Sequence, residues 1–179
     1  TPVVGAGTAN TEMEVLTGMR AWFFGPGEYP YKTVLKNCTA ESAAYILKDL
    51  GYGAHAIHNH RGAFYGRNQV YKNLGFDTFT SLEYISHFTE TPKGWCKDDV
   101  LTDEIQAALD STNTPDFVFA VSVQGHGKYP SDPVLEDPEI QVAAIADEDQ
   151  RYSIEYYANQ IHEMDAFIGQ LIQMLEQRG

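Results

Sequence analysis

Three short segments of the sequence concentrate side chains that can bind an anion or move a proton. The densest is His58-Asn-His60-Arg-Gly-Ala-Phe64-Tyr65-Gly-Arg67, with two imidazoles, two aromatic rings and two guanidiniums in one run. Guanidinium offers a fork of N–H donors that matches phosphate, and the rings can stack on or bound a polar ligand. An ordinary polar surface loop is the competing reading. In Gln124-Gly-His126-Gly127 the imidazole of His126 can donate to a ligand oxygen or shuttle a proton, or it can be a loop histidine between turn residues. Thr8 stands behind Gly5 and Gly7, just ahead of a helix, where backbone N–H groups and the helix dipole favour an anion. A phosphate can sit there, or Thr8 and Thr11 can do no more than satisfy the helix terminus. His55 alternates with Ile57 and reads as a packing or surface residue, while His87 and His162 have no chemistry-bearing neighbours in sequence.

The elements that must position these residues follow from periodicity. Thr11-x-x-Glu14 matches a capping box, so a helix is expected from about Thr11, with Met13, Leu16 and Met19 on its apolar face and a stop at Gly18. Apolar residues from Thr39 to Leu50 repeat at helical spacing before Gly51. Tyr52 to His58 reads as a buried strand, Asn68 to Leu74 as a short helix, Asp98 to Leu109 as a longer one and Asp116 to Val123 as a second buried strand. After a proline-punctuated acidic loop from Tyr129 to Asp147, a helix is expected over Glu148 to Arg178, with apolar positions spaced to cover a sheet. Alternating helices and strands imply an α/β fold with a mainly parallel sheet, in one domain over residues 1–179. In such sheets ligands gather at the carboxyl ends of strands, where the His58 and His126 segments fall.

Composition narrows the partners. A formal charge of -13 spread along the chain would repel a phosphate backbone, which excludes nucleic acid, and is compatible with divalent cations. Cys38 and Cys96 have neither the spacing of a zinc site nor the density of a disulfide scaffold, and read as two unpaired thiols. No stretch approaches the roughly 20 apolar residues of a membrane span, so the chain is expected to be soluble. The opening Thr1-Pro2-Val3-Val4 has no initiator Met or signal pattern and reads as a cut end.

Taken together, Gly5-Ala-Gly-Thr8-Ala-Asn-Thr-Glu-Met-Glu-Val-Leu-Thr17, Gly51-Tyr-Gly, His58 to Arg67, Leu74-Gly-Phe-Asp-Thr-Phe79 and Ser122-Val-Gln-Gly-His-Gly127 resemble the catalytic domain of the lipoteichoic acid synthase-like phosphoglycerol transferases, in the sulfatase and alkaline phosphatase superfamily. The resemblance runs along the whole chain. It implies an alkaline phosphatase-like three-layer sandwich, truncated at both ends. It also implies Thr8 as nucleophile and as a ligand of one divalent ion, usually manganese, with the remaining ligands outside the chain. His58, His60, Tyr65, Arg67 and His126 match positions around the substrate's phosphoglycerol group; His60 stands where Asp is typical and Tyr65 where Trp is typical.

The activity implied is transfer of glycerol phosphate from a phosphatidylglycerol-type lipid to a cell-envelope polymer or glycan, at the extracellular face of the bacterial cytoplasmic membrane, with the membrane anchor outside this chain. With the other metal ligands absent, the chain alone is expected to be inactive, and its exposed edges to favour self-association. Three alternatives stand beside this. A sulfatase would carry Cys or Ser in a Cys/Ser-x-Pro-x-Arg motif, where this sequence has Thr8-Ala-Asn-Thr-Glu. A phosphoethanolamine transferase or phosphodiesterase also fits a threonine. A non-catalytic anion-binding fragment is the third.

Overall fold

A computed structural model describes residues 7–179; the Gly5-Ala6 part of the loop before Thr8, and the Thr1–Val4 opening, lie outside the described residues. Three parallel strands, β1 (Gly53–His58), β2 (Thr78–Ser81) and β3 (Asp116–Val121), form a sheet in the order β2-β1-β3. His55 of β1 lies opposite Thr78 and Val118, and His58 opposite Ser81 and Val121. All three strands therefore end together, at one rim of the sheet.

Helices cover both faces, as the alternation of elements requires. On one face α1 (Thr8–Thr17), α2 (Ala43–Asp49) and α3 (Arg67–Asn73) bury Met13, Leu16, Ala44, Val70 and Tyr71 against Ala54 and Ala56. On the other, α4 (Val100–Asp110) and the long α5 (Glu148–Arg178) bury Leu101, Ile105 and Phe167 against Ile57. The period of two in β1 sorts alanines to the first face and Ile57 to the second.

Several expectations change. The capping box at Thr11 does not form: α1 starts a turn earlier, at Thr8, with Gly7 as N-cap and no side-chain cap. The Glu14 carboxylate instead accepts from the backbone N–H of Ala21 at 2.6 Å, tying the helix to the turn that follows. The helix expected from Thr39 begins only at Ala43, because Ser42 caps it through the backbone N–H of Tyr45, and Leu50 and Ile46 are left exposed. Strand β2 was hidden in Thr78-Phe-Thr-Ser81, too short and polar to show a buried pattern. Of the apolar positions of α5, Tyr156 and Phe167 are buried, whereas Ile154, Tyr157, Ile161, Ile168, Ile172 and Leu175 are largely exposed. Cys38 is exposed and Cys96 buried, both as free thiols.

Candidate active site

At the carboxyl rim of the sheet a cavity of about 610 Å³ is lined by Thr8, His58, His60, Tyr65, Arg67 and His126, together with Phe64, Trp95, Ser122, Ile161 and Met164. All six residues singled out in the sequence thus share one space.

Each is delivered by a different local device. Thr8 is the first residue of α1, exposed, with Gly7 before it at φ 117°. A Cβ on Gly7 would meet Tyr29 Cε1 at 2.6 Å and the Tyr65 hydroxyl at 2.9 Å, so only glycine lets the two tyrosines close over the start of the helix. Tyr65 itself adopts φ 58°, a left-handed conformation that costs a non-glycine residue on the order of 1 kcal/mol or more and that aims its ring at Tyr29, 5.3 Å away between centroids. His58 ends β1, His60 opens the loop behind it, and Arg67 begins α3 after that tight turn.

Arg67 is the fixed point. It is 1% exposed, and its guanidinium donates through Nε and Nη2 to the two carboxylate oxygens of Glu12, and through Nη2 to Thr8 Oγ1 at 3.1 Å. The Tyr71 hydroxyl donates to the same carboxylate at 2.8 Å. Burial would discourage the charge on Arg67, but the hydrogen bonds and charge of Glu12 hold its pKa above the usual arginine value. A buried cation is therefore clamped with one N–H group on the hydroxyl oxygen of Thr8.

His58 Nδ1 donates to the Val121 carbonyl at 2.7 Å, which sets the tautomer and leaves Nε2 as an acceptor. Burial, reinforced by the Arg67 charge, lowers its pKa to about 4, so the ring is neutral at physiological pH. The pKa of His60 is lowered in the same direction, first by burial and then by Arg67. Arg67 carries the positive charge, while His58 presents a neutral nitrogen that can accept a hydrogen bond from an alcohol.

Glu12, Trp95 and a buried polar knot are parts of the site that the sequence reading passed over. Glu12 sits one helical turn after Thr8, so the i, i+4 spacing was available as a signal. Trp95 is presented by a tight loop in which Thr91 N–H donates to the Trp95 carbonyl at 2.7 Å, and its ring lies 4.6 Å from His126 and 5.6 Å from His60. Behind it Asn59 donates to Asp98 at 2.7 Å, the Gln124 side chain accepts from the Asp98 backbone at 2.7 Å, and Gln124 Nε2 donates to Gln160 at 3.0 Å. These partners are far apart in sequence, and nothing local announces them.

Of the ligands that the resemblance implies for a divalent ion, Thr8 is the one among the described residues. Among the described residues no group of three or more His, Cys, Asp or Glu side chains could hold a metal ion. Thr8 Oγ1 already accepts from a guanidinium, and Glu12, the nearby carboxylate, is taken up by Arg67 and Tyr71.

A parallel sheet between helical layers, with a threonine at a helix N-terminus on its carboxyl rim, defines an α/β protein, and the solved structures that share its fold include a protein of the alkaline phosphatase superfamily from Vibrio parahaemolyticus, at a TM-score of 0.66 and 16% identity over 98% of this chain and 40% of that one. The chain belongs to the sulfatase family, whose model matches residues 1–179. It is 34% identical over 178 residues to a protein of Rhizobium meliloti (strain 1021) named as a candidate cyclic beta-1,2-glucan modification protein, covering 99% of this chain and 27% of that one. The lipoteichoic acid synthase LtaP of Listeria monocytogenes has the same fold, with a TM-score of 0.79 at 21% identity, over 98% of this chain and 41% of that one. The phosphoglycerol transferase GacH of Streptococcus pyogenes, solved with sn-glycerol-1-phosphate, superposes with a TM-score of 0.69 at 20% identity, over 95% of this chain and 46% of its own. The chain thus spans about a quarter of the curated relative and less than half of each solved one. Among the described residues no helix is long and apolar enough to cross a membrane.

Proposed function

We propose that the chain carries the nucleophile and head-group site of a phosphoglycerol transferase. The observation that carries this reading is the Arg67 Nη2 to Thr8 Oγ1 hydrogen bond inside a cavity that His58, His60, Tyr65 and His126 also line. Thr8 Oγ attacks phosphorus, a new Thr8 O–P bond forms, and the bond from phosphorus to the lipid alcohol breaks. Arg67 stabilises the charge gathering on the phosphoryl oxygens without needing to reorganise, because Glu12 already fixes it. The neutral His58 accepts from a glycerol hydroxyl, with His60 and Tyr65 bounding the group. His126, the exposed imidazole of the set, takes the proton of the Thr8 hydroxyl and hands it to the departing alcohol. A second alcohol then attacks the phosphothreonine, its proton passes through His126 to Thr8 Oγ, and Thr8 is restored.

The donor is a phosphatidylglycerol-type lipid at the extracellular face of the bacterial cytoplasmic membrane, with attachment to the membrane through a segment other than those described. The acceptor is a cell-envelope polymer or glycan. The names of the relatives support both ends: one was solved with sn-glycerol-1-phosphate, the other is named for cyclic beta-1,2-glucan. A divalent ion, manganese by family resemblance, would draw its remaining ligands from residues other than those described, and the chain by itself is expected not to turn over. Thr8-Ala-Asn-Thr-Glu in place of a Cys/Ser-x-Pro-x-Arg motif weighs against sulfate ester hydrolysis.

Titration of sn-glycerol 1-phosphate into this chain tests the head-group site. Saturable binding, weakened about tenfold or more by Arg67→Lys, is expected: lysine keeps the charge opposite Glu12 and loses the fork. No binding, or equal binding by the variant, would overturn the reading.

A further inference from the structure

We infer that the Trp95–His126 side of the cavity is a sugar subsite, which holds an uncharged pyranose ring of the acceptor and turns one of its hydroxyls toward Thr8. This subsite presupposes the phosphoglycerol reading and specifies its acceptor class.

The cavity, about 610 Å³, exceeds what the head group fills. A phosphoglycerol group displaces on the order of 150 Å³, about five waters' share of liquid volume. The part beyond Thr8 and Arg67 has a distinct chemistry. Trp95, His126, His60 and Phe64 form a continuous wall of rings, with centroids 4.6 Å apart for Trp95–His126, 5.6 Å for His60–Trp95 and 5.3 Å for His60–Phe64. Ile161 and Met164 of α5 also line the cavity. None of these six bears a fixed charge. A ligand suited to them has flat C–H faces to lie on the rings and hydroxyls at its rim for the imidazoles. A pyranose has both, since its face carries C–H groups and its edge carries alcohols.

The wall is also built in advance. Asn59 precedes His60, Cys96 to Asp98 follow Trp95, and Gln124 precedes His126; Asn59, Asp98 and Gln124 are each buried to 1% exposure or less and hydrogen-bonded in one knot. Asn59 Nδ2 further donates to the carbonyls of Cys96 and Lys97. The pairing of β1 with β3 and this knot together hold the three rings at fixed spacing, which reduces the ordering cost of a ligand.

In the transfer step the sugar oxygen bonds to phosphorus as the Thr8 O–P bond breaks. The proton lost by the sugar hydroxyl returns to Thr8 Oγ by way of His126, so charge and atoms balance.

The sequence supplies its own reporter. Trp22 and Trp95 are the two tryptophans, and Trp22 is exposed, so Trp22→Phe leaves Trp95 as the single tryptophan, excited selectively at the red edge where tyrosine does not absorb. A β-linked gluco-oligosaccharide titrated into that variant should shift Trp95 emission saturably. By calorimetry, Trp95→Ala should lose about tenfold or more in sugar affinity and Trp95→Phe less. Far-UV circular dichroism reports that both variants are folded, and in each the loss of sugar affinity should exceed any loss of sn-glycerol 1-phosphate affinity by about fivefold or more. Glycerol phosphate binding with a silent Trp95, or sugar binding indifferent to Trp95→Ala, overturns the subsite alone. Sugar binding in a chain that does not bind glycerol phosphate overturns the acceptor role together with the phosphoglycerol reading.

Discussion

His55 and His58 lie three residues apart on the same central strand, and each is 3% exposed, yet the two ends of the sheet use them in opposite ways. At the amino end both nitrogens of His55 are engaged, Nδ1 with Thr78 at 2.7 Å and Nε2 with Asp116 at 3.2 Å, and Thr112 closes the set by donating to Asp116 at 2.7 Å. At the carboxyl end only one nitrogen of His58 is committed, to the Val121 carbonyl, and the ring lines a cavity. The first arrangement bolts three strands together and has nothing left to offer a ligand. The second leaves an acceptor facing a space that also holds a hydroxyl and a guanidinium. Burial alone therefore does not mark a functional histidine; the uncommitted nitrogen does.

The comparison can be broken most forcefully at the carboxyl end. Glu12→Ala removes the partner of a buried guanidinium and should cost about 3–5 kcal/mol in urea unfolding, with loss of glycerol phosphate binding. Next comes the pH dependence of His58. Its pKa is near 4 in the folded chain and near 6.5 when unfolded, so the folded form is favoured in full above pH 6.5. As pH falls from 6.5 toward 4 the unfolded chain takes up the proton first and stability drops, by on the order of 3 kcal/mol in total. His58→Asn keeps a donor for the Val121 carbonyl and removes the titration, so its thermal midpoint should fall much less across that window. At the amino end Asp116→Asn should cost only about 1 kcal/mol, by weakening the bonds to His55 and Thr112, and leave glycerol phosphate affinity unchanged. The smallest test has no energetic part. Burial, with Asp99, Asp98 and Glu90 nearby, pushes the Cys96 thiol up to about 12, so a thiol reagent at pH 8 should label exposed Cys38 and spare Cys96.

Much of this arrangement was readable from the residues. Strand β1, the long α5 and helices α3 and α4 emerged from periodicity because each buries a regular face, and all six site residues fall in one cavity because strand ends and helix starts share a rim. What escaped depended on contacts between distant segments. Glu12 looked like one more acidic residue until Arg67, 55 positions away, was folded onto it. Thr11-x-x-Glu14 carried a valid local signal that lost to a glycine cap at Gly7 and to the pull of Ala21 on Glu14. Trp95 had no motif around it, and its place beside His60 and His126 is set by the knot of Asn59, Asp98 and Gln124. The apolar spacing of α5 reported a helix correctly without saying which of its faces would be covered.

The central claim is that Thr8 is the attacking oxygen at this rim. It is tested most directly in the whole protein, by mass spectrometry of the Thr8 peptide after exposure to a glycerophospholipid donor, alongside assay of glycerol phosphate release. One phosphoglycerol group on the Thr8 peptide, with both the adduct and the release abolished by Thr8→Ala, is the expected result; release that persists in Thr8→Ala, or an adduct on another residue, would contradict it.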